Sequence, residues 1–466
     1  MLNKIGEKFT DIFRNNMPDA FVFALVLTII TAVSAYFVAD ASVLKIGESW
    51  YEGFWLMLEF GMQMVLLIIT GYSIALSPIA EKGIDAMASV IKTPRQVYFV
   101  VVLIGVLLGM ISWGWLVITA ILARELALRV EGIHYPFLIA CVYFSGGSWV
   151  LGLSSSIPLL LNTEGNFLIE AGILSDIIPT SFTLGSGLNM AMMILFIVVA
   201  PLLSIWLIPK IKAPKQLKDL LQESNTPLQK KNIKEEALEL NLPYKALSDQ
   251  LNNSMILLWL VAIPGLAYII YYFSTKGLDL NLNIMIFTFL ILGLLLHSTP
   301  NRYSISMKRA SGNISSILFQ FPFYAGIMGM MIYTGLGGQL AGWLASVADL
   351  DTFPFYAYMA GGLVNFAIPS AGGEFAVIGP SIMGAIHELG ANLPADELTA
   401  IIARASMSIA YGESLTNLIQ PFYLLLIIPV MGTGIKTQAR DVMGYLVVPF
   451  VLFFIIEVAL IMLWPI

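Results

Sequence analysis

Two stretches in the second half of this chain interrupt helices inside long apolar regions. Residues Asn365 to Gly373 read N-F-A-I-P-S-A-G-G, and residues Gly412 to Pro421 read G-E-S-L-T-N-L-I-Q-P. Each mixes glycine, proline and amides that do not continue a regular helix. Lipid offers no water to loose N–H and C=O groups. Non-helical backbone at bilayer depth therefore survives only inside protein or beside an aqueous cavity. Paired interruptions of this kind are the pattern of a transporter's binding site near the bilayer midplane.

The composition sets the same frame. Of 466 residues, 58% are hydrophobic and only 12% charged, whereas soluble proteins carry about 25% charged residues. Apolar runs of spanning length, about 20 residues, cover Ala20–Ala39, Gly53–Ser77, Leu184–Ile208, Met255–Phe273, Ile314–Gly335 and Val442–Trp464. The first is too long for a cleaved signal peptide and lacks a small-residue cleavage site. No soluble domain of useful size remains. A single cysteine, Cys141, excludes an intramolecular disulfide, and three scattered histidines make no metal-ligand spacing. No cofactor and no nucleic-acid partner are implied; the bilayer is the medium.

Of 24 Lys and Arg, 21 fall in six segments: the N-terminus, 78–96, 124–129, 209–254, 298–313 and 431–441. The positive-inside rule then puts the N-terminus in the cytoplasm. Residues 40–52, 162–183, 274–280, 336–352, 390–397 and the C-terminus lie outside. Under this assignment 96–130 starts and ends inside, while 352–389 starts and ends outside. Each consists of two apolar limbs of roughly 15 residues, about 22 Å at 1.5 Å per residue. Such limbs are short for full spans. Neither tip, Ile111–Trp115 or Ile368–Gly373, carries a charge, so both segments read as re-entrant hairpins. Residues 209–254, with eight Lys, six acidic residues and four prolines, read as a cytoplasmic linker, helical around Ile233–Leu240.

The halves flanking the linker echo each other. Thr70-Gly71 recurs as Thr334-Gly335, Gly147 as Gly412 and Pro158 as Pro421, at offsets of 264, 265 and 263. Residues 1–208 and 255–466 each give hairpin then broken helix: 96–130 and 134–161, then 352–389 and 398–430. Five crossings separate equivalent helices. An odd number inverts the second repeat, so the expected fold is all-α and polytopic, with inverted repeats, re-entrant hairpins and discontinuous helices.

Past the break expected at Gly412, Glu413, Thr416, Asn417 and Gln420 share one helical face. Such a face in lipid costs several kcal/mol, so it points into protein or a cavity. Its first-half counterpart is Ser145, Ser148, Gly152 and Ser155, with Ser154 and Ser156 beside it. Hydroxyl, amide and freed carbonyl oxygens suit a hard cation, and N–H groups at half-helix starts suit a carboxylate. The alternative use of such small polar residues is close helix packing. Glu413 is the expected titrating group; Glu374, just past the second tip, is another, or else faces an outer funnel. Arg404 either holds an anionic substrate or neutralises one of these glutamates. Glu59 and Gln63 share a face in the second helix, and Glu457 calls for a local partner.

Several motifs resemble the AtoE-type short-chain fatty acid transporters: F-G-M-Q-M (60–64), L-L-L-N-T-E-G-N (159–166), F-Q-F-P-F-Y-A-G-I (319–327), G-L-G-G (335–338), I-A-Y-G-E (409–413) and N-L-I-Q-P-F (417–422). The resemblance runs over nearly the whole chain, with departures at Ser112, Ala371 and Glu374. It implies a homodimeric, elevator-type carrier of small monocarboxylates such as butyrate or acetoacetate, in a bacterial cytoplasmic (inner) membrane. The site expected on this reading comprises Ser112, Trp113, Gly114, Ser154, Ser155, Ser156, Asn365, Pro369, Ser370, Gly372, Gly373, Arg404, Asn417 and Gln420 for substrate. Glu413, Glu374 and Thr416 would hold the coupling ion, H⁺ or Na⁺. A dicarboxylate is the alternative substrate, and a passive channel the alternative mode. An intramembrane enzyme would need a metal or nucleophile set, and neither His-Glu-x-x-His nor Gly-x-Ser-x-Gly occurs.

Overall fold

Three helices start at a Ser or Thr followed by proline, a pairing that supplies an N-cap oxygen and a residue needing no amide partner. Ser77-Pro78, Thr93-Pro94 and Thr299-Pro300 each open a helix whose first turn is held by the cap hydroxyl. Gln96 completes a capping box on Thr93. A computed structural model describes residues 20–465 except 210, 212–213, 223–232, 243, 245, 367, 369, 421–423, 433 and 438–439.

The first half contains α1 (Ala20–Phe37), α2 (Val43–Gly53), α3 (Leu58–Ala75), α4 (Pro78–Val90), α5 (Pro94–Ile111), α6 (Leu116–Arg129), α7 (Tyr135–Gly146), α8 (Ser156–Leu161) and α9 (Gly187–Trp206). A connecting helix, α10 (Met255–Lys276), follows the linker. The second half repeats the order: α11 (Leu282–His297), α12 (Pro300–Ala310), α13 (Ser315–Tyr333), α14 (Leu336–Val347), α15 (Phe353–Val364), α16 (Ala371–Leu389), α17 (Ala395–Thr416), α18 (Leu424–Met431) and α19 (Val447–Leu463). Packing is reciprocal as well as repeated. Helix α1 lies on α13 as α11 lies on α3; α2 meets α13 as α12 meets α3; α8 touches α16 and α17 as α18 touches α6 and α7. The two halves therefore interlock.

The expected hairpins are α5–α6 and α15–α16, with limbs of 18, 14, 12 and 19 residues rather than uniform ones. The first broken helix is α7, a 3₁₀ turn over Gly147–Leu151, a further turn closed by the Ser155 amide on the Gly152 carbonyl, and α8. The second corrects one expectation. Helix α17 runs unbroken through Gly412 to Thr416, and the break begins with a 3₁₀ turn at Asn417–Ile419. Gly412 serves packing instead: a Cβ there would lie 2.0 Å from the Tyr358 carbonyl oxygen, and one at Gly361 would lie 2.4 Å from that of Ile409. Helices α15 and α17 thus cross backbone to backbone. Gly412→Leu is expected to lose about 1–3 kcal/mol from overpacking, read as a lower melting temperature of the detergent-solubilised protein.

The linker is helical at Leu217–Gln222, Ile233–Glu239 and Leu247–Asn252, the middle one where expected. Its ends grip different elements. Glu236 pairs with Arg309 of α12, while the Lys215 amide donates to His134 Nδ1 at 3.2 Å and the Lys215 carbonyl accepts from the Tyr135 amide. With Nδ1 accepting, the ring proton sits on Nε2, facing Tyr445 Oη at 3.0 Å. Burial, with Lys215 nearby, holds the His134 imidazole below its ordinary range. The neutral ring is the docked form. This contact is therefore complete above the unfolded value of about 6.5 and is lost as pH falls through the lowered folded value. A spin label at position 218 is expected to become more mobile on acidification in wild type and to be pH-insensitive in His134→Asn.

Candidate functional site

The two second-half interruptions meet. Asn365, at the end of α15, donates through Nδ2 to the Glu413 carbonyl (2.9 Å), Thr416 Oγ1 (2.8 Å) and Asn417 Oδ1 (3.0 Å). Asn417 Nδ2 donates to Glu413 Oε1 at 2.9 Å, and Gln420 Nε2 donates to Asn417 Oδ1 at 2.6 Å. Thr416 turns its hydroxyl back onto the carbonyls of Gly412 and Glu413. From the first half, Tyr143 Oη donates to the carbonyls of Asn417 and Gln420, at the break that follows α17. Glu413, Thr416, Asn417 and Gln420 thus form one polar unit with Asn365, across the end of α17 and not on a single helical face.

Glu374 sits in the first turn of α16 and is 0% exposed, as is Glu413. Among the described residues neither carboxylate oxygen of Glu374 has a hydrogen-bond partner. Its Oε1 lies 3.0 Å from where a Gly361 Cβ would stand, at the α15–α17 crossing, and it is close enough to Glu413 for the two to interact electrostatically. Two buried carboxylates within electrostatic reach of each other each disfavour the charged form of the other. The outer-funnel alternative for Glu374 does not fit its complete burial.

Beside Glu374 lies a candidate anion seat. Ser370 caps α16, accepting from the Gly373 amide at 3.5 Å. A Cβ at Gly372 would meet Phe60 Cζ at 2.6 Å and Ser156 Oγ at 3.7 Å, and one at Gly373 would meet Tyr324 at 2.8 Å. The positive end of a 19-residue helix therefore faces the start of α8 and the ring of Phe60. Ser156 is 0% exposed, and its hydroxyl has no partner among the described residues. Phe60 stacks on Phe321 at 5.9 Å and tilts against Phe167 at 5.7 Å. Polar N–H and O–H groups on one side and three aromatic rings on the other suit a carboxylate with a short apolar tail. Gly372 matters here because any Cβ would collide with the Phe60 ring.

The first tip is seated on α3 rather than beside Glu413. Trp115 Nε1 donates to the Gly71 carbonyl at 2.9 Å, a Gly71 Cβ would lie 2.3 Å from Ser112 Oγ, and a Gly114 Cβ would lie 2.8 Å from the Tyr72 nitrogen. Trp113 contributes its backbone to the short turn between the limbs. The first hairpin still seals the first break, because the Leu153 amide donates to the Met110 carbonyl at 2.7 Å. Ser154 and Ser155 are buried in that break, with Ser155 leading into α8. Pro369 lies outside the described residues.

Arg404 is not brought to either glutamate. Its guanidinium donates to the carbonyls of Ile461 and Trp464, closing the C-terminal end of α19 as a cation suits it. Gln63 bridges Glu59 and Asn283 of α11 at 3.4 and 3.0 Å, so this pair belongs to a helix interface. Phe60 and Tyr143 were not singled out by sequence reasoning. Phe60 opens the F-G-M-Q-M motif, the one available signal; Tyr143 is an aromatic among many.

The model of the family described as "Short chain fatty acid transporter" matches residues 1–464. A protein of Escherichia coli (strain K12) named "Putative short-chain fatty acid transporter" is 37% identical over 448 residues, 96% of each chain. One of the same name from Haemophilus influenzae is 33% identical over 450 residues, again 96% of each chain. Among solved structures, the Alcanivorax borkumensis YdaH transporter, described as having an unusual topology, is 15% identical with a TM-score of 0.57. That match covers 96% of this chain and 98% of the other, and it shows a shared fold.

Proposed function

We propose, because this chain belongs to the short chain fatty acid transporter family, that it takes up small monocarboxylates such as butyrate or acetoacetate by coupling each to a cation. The protein is a multi-pass membrane transporter and not an enzyme. The observation that carries the coupling is the buried Glu374–Glu413 pair beside the N-terminus of α16. A substrate carboxylate at Gly372–Gly373 and Ser156 would share that helix end with the Glu374 side chain. Two anions there repel, so the substrate enters when H⁺ or Na⁺ neutralises the pair. Release of the cation on the far side expels the anion. Asn365, Asn417 and Gln420 keep the break of α17 closed around Glu413.

The repeated element order and reciprocal packing support an inverted repeat, since the extra helix α10 adds one crossing between the halves. They also support an elevator motion. The body built on both hairpins and both broken helices would slide against α1–α3 and α11–α13, in a homodimer, with the N-terminus in the cytoplasm of a bacterial cell. Purified protein in liposomes, given labelled butyrate or acetoacetate under an imposed pH or Na⁺ gradient, is expected to take up label faster than protein-free liposomes. Gradient-independent equilibration would instead indicate a passive channel, and competition by a dicarboxylate would move the substrate class.

A further inference from the structure

A third fully buried carboxylate lies outside the site just described. Glu457, in the middle of α19, is 2% exposed and accepts from Tyr358 Oη at 3.0 Å. Tyr358 is on α15, where Tyr358, Gly361 and Asn365 fall at i, i+3 and i+7 on one face. That face meets Glu457 through Tyr358, Glu374 Oε1 over Gly361, and the Glu413 carbonyl through Asn365. One helical limb therefore touches all three acidic residues.

Helix α19 packs on α9, α15, α17 and the Asn417–Ile419 turn. From α15 the ionisable group facing Glu457 is Tyr358; from α17 it is Tyr411, with Arg404 further out and committed to the carbonyls of Ile461 and Trp464. The facing part of α9, Gly187–Ile194, and the Asn417–Ile419 turn bring none. No ion pair to Glu457 exists among the described residues. A permanently ionised carboxylate here would cost several kcal/mol, and a permanently neutral one could be a glutamine.

We propose that Glu457 is a second proton-carrying group of this transporter, separate from the Glu374–Glu413 pair, so that each monocarboxylate crosses with two protons and one net positive charge. This rests on the coupled-uptake reading above, with H⁺ as the ion on both groups. At the outer side an O–H bond forms on the Glu457 carboxylate; at the inner side it breaks and the proton leaves to water. With one proton on the Glu374–Glu413 pair and one anion carried, the charge moved per cycle is +1. The substrate itself makes the second proton useful. A short-chain acid permeates bilayers in its neutral form, so one-proton symport ends at the distribution that leakage reaches unaided. Only an extra cation concentrates it further.

The test uses full-length protein in Na⁺-free liposomes at equal pH inside and out, with a potassium–valinomycin potential, inside negative, and labelled butyrate. Leakage of neutral butyric acid does not respond to the potential. Wild type is expected to accumulate butyrate, approaching about tenfold for about 59 mV at one net charge. Glu457→Gln is expected to keep pH-driven uptake above the protein-free rate and to lose the response to potential. A potential-insensitive wild type, a response that requires Na⁺, or an undiminished response in Glu457→Gln would overturn the proposal. Coupled uptake itself fails only if no pH, Na⁺ or electrical gradient drives wild-type uptake. Should Glu457→Gln also lose butyrate counterflow, Tyr358→Phe replaces it. That variant keeps the carboxyl without its donor and is expected to shift the pH of half-maximal potential-driven uptake; an unshifted profile overturns the role of Glu457.

Discussion

Glu413→Gln is expected to reduce gradient-driven uptake to the protein-free level while leaving the protein folded. The amide oxygen can still accept from Asn417 Nδ2, which now reaches Glu413 Oε1 at 2.9 Å, so the turn at Asn417–Ile419 keeps its anchor. On the proposed coupling, what would disappear is a group that alternates between charged and neutral beside Glu374. A neutral glutamine would leave Glu374 without its acidic neighbour, so that cation binding and release would no longer be tied to the substrate. The expected loss is of accumulation, because the coupling free energy between cation and substrate is what the substitution removes. Counterflow of unlabelled against labelled butyrate is the matching control. Persistence of exchange with loss of accumulation is the expected pair of results, and unimpaired accumulation would exclude Glu413 as the coupling group.

Asn365→Ala should give the next largest effect. One Nδ2 group serves three acceptors on the broken helix, the Glu413 carbonyl, Thr416 Oγ1 and Asn417 Oδ1. Its side chain ties the second tip to that break. Deleting it removes these hydrogen bonds, worth about 0.5–1.5 kcal/mol each, from the closed arrangement of tip and break, although the Glu413 carbonyl and Asn417 Oδ1 keep Thr416 and Gln420 as donors. Transport affinity is expected to fall roughly 5- to 150-fold, the range that such a coupling energy spans. Measured as the concentration for half-maximal uptake, the loss should appear with little change in thermal stability, since α15 and α17 remain clamped at Gly361 and Gly412. A variant with unchanged half-saturation would mean that the tip is held by other contacts.

Much of the architecture is legible because bilayers impose it. Runs such as Met255–Phe273 became α10, Val442–Trp464 became α19, and Ser/Thr–Pro pairs marked helix starts. Helical spacing groups Glu413, Thr416, Asn417 and Gln420 on one face; the structure gathers them as one unit, but across the end of α17, with Asn417 in the 3₁₀ turn and Gln420 in extended backbone beyond it. Gly412 misleads for a physical reason. Glycine both breaks helices and lets them touch, and sequence alone does not separate a break from the close approach to Tyr358. Arg404 misleads because its partners are backbone carbonyls of a helix 57 and 60 residues away, which carry no sequence signature. Phe60 and Tyr143 are hidden by composition: in a chain that is 12% aromatic, a ring against the candidate seat or the break of α17 resembles any ring in the core. The proximity of Glu374 to Glu413, and of Glu457 to Tyr358, comes from the α15 crossing and has no local trace.

The central claim is that this chain drives monocarboxylate movement with a cation held at Glu374 and Glu413. The most direct measurement is initial uptake of labelled two- to six-carbon acids into proteoliposomes, with pH and Na⁺ gradients imposed separately and together. The account predicts uptake above protein-free liposomes that rises with at least one cation gradient, favours the short acids and vanishes in Glu413→Gln. Uptake that ignores both gradients, or that proceeds equally in Glu413→Gln, would contradict it.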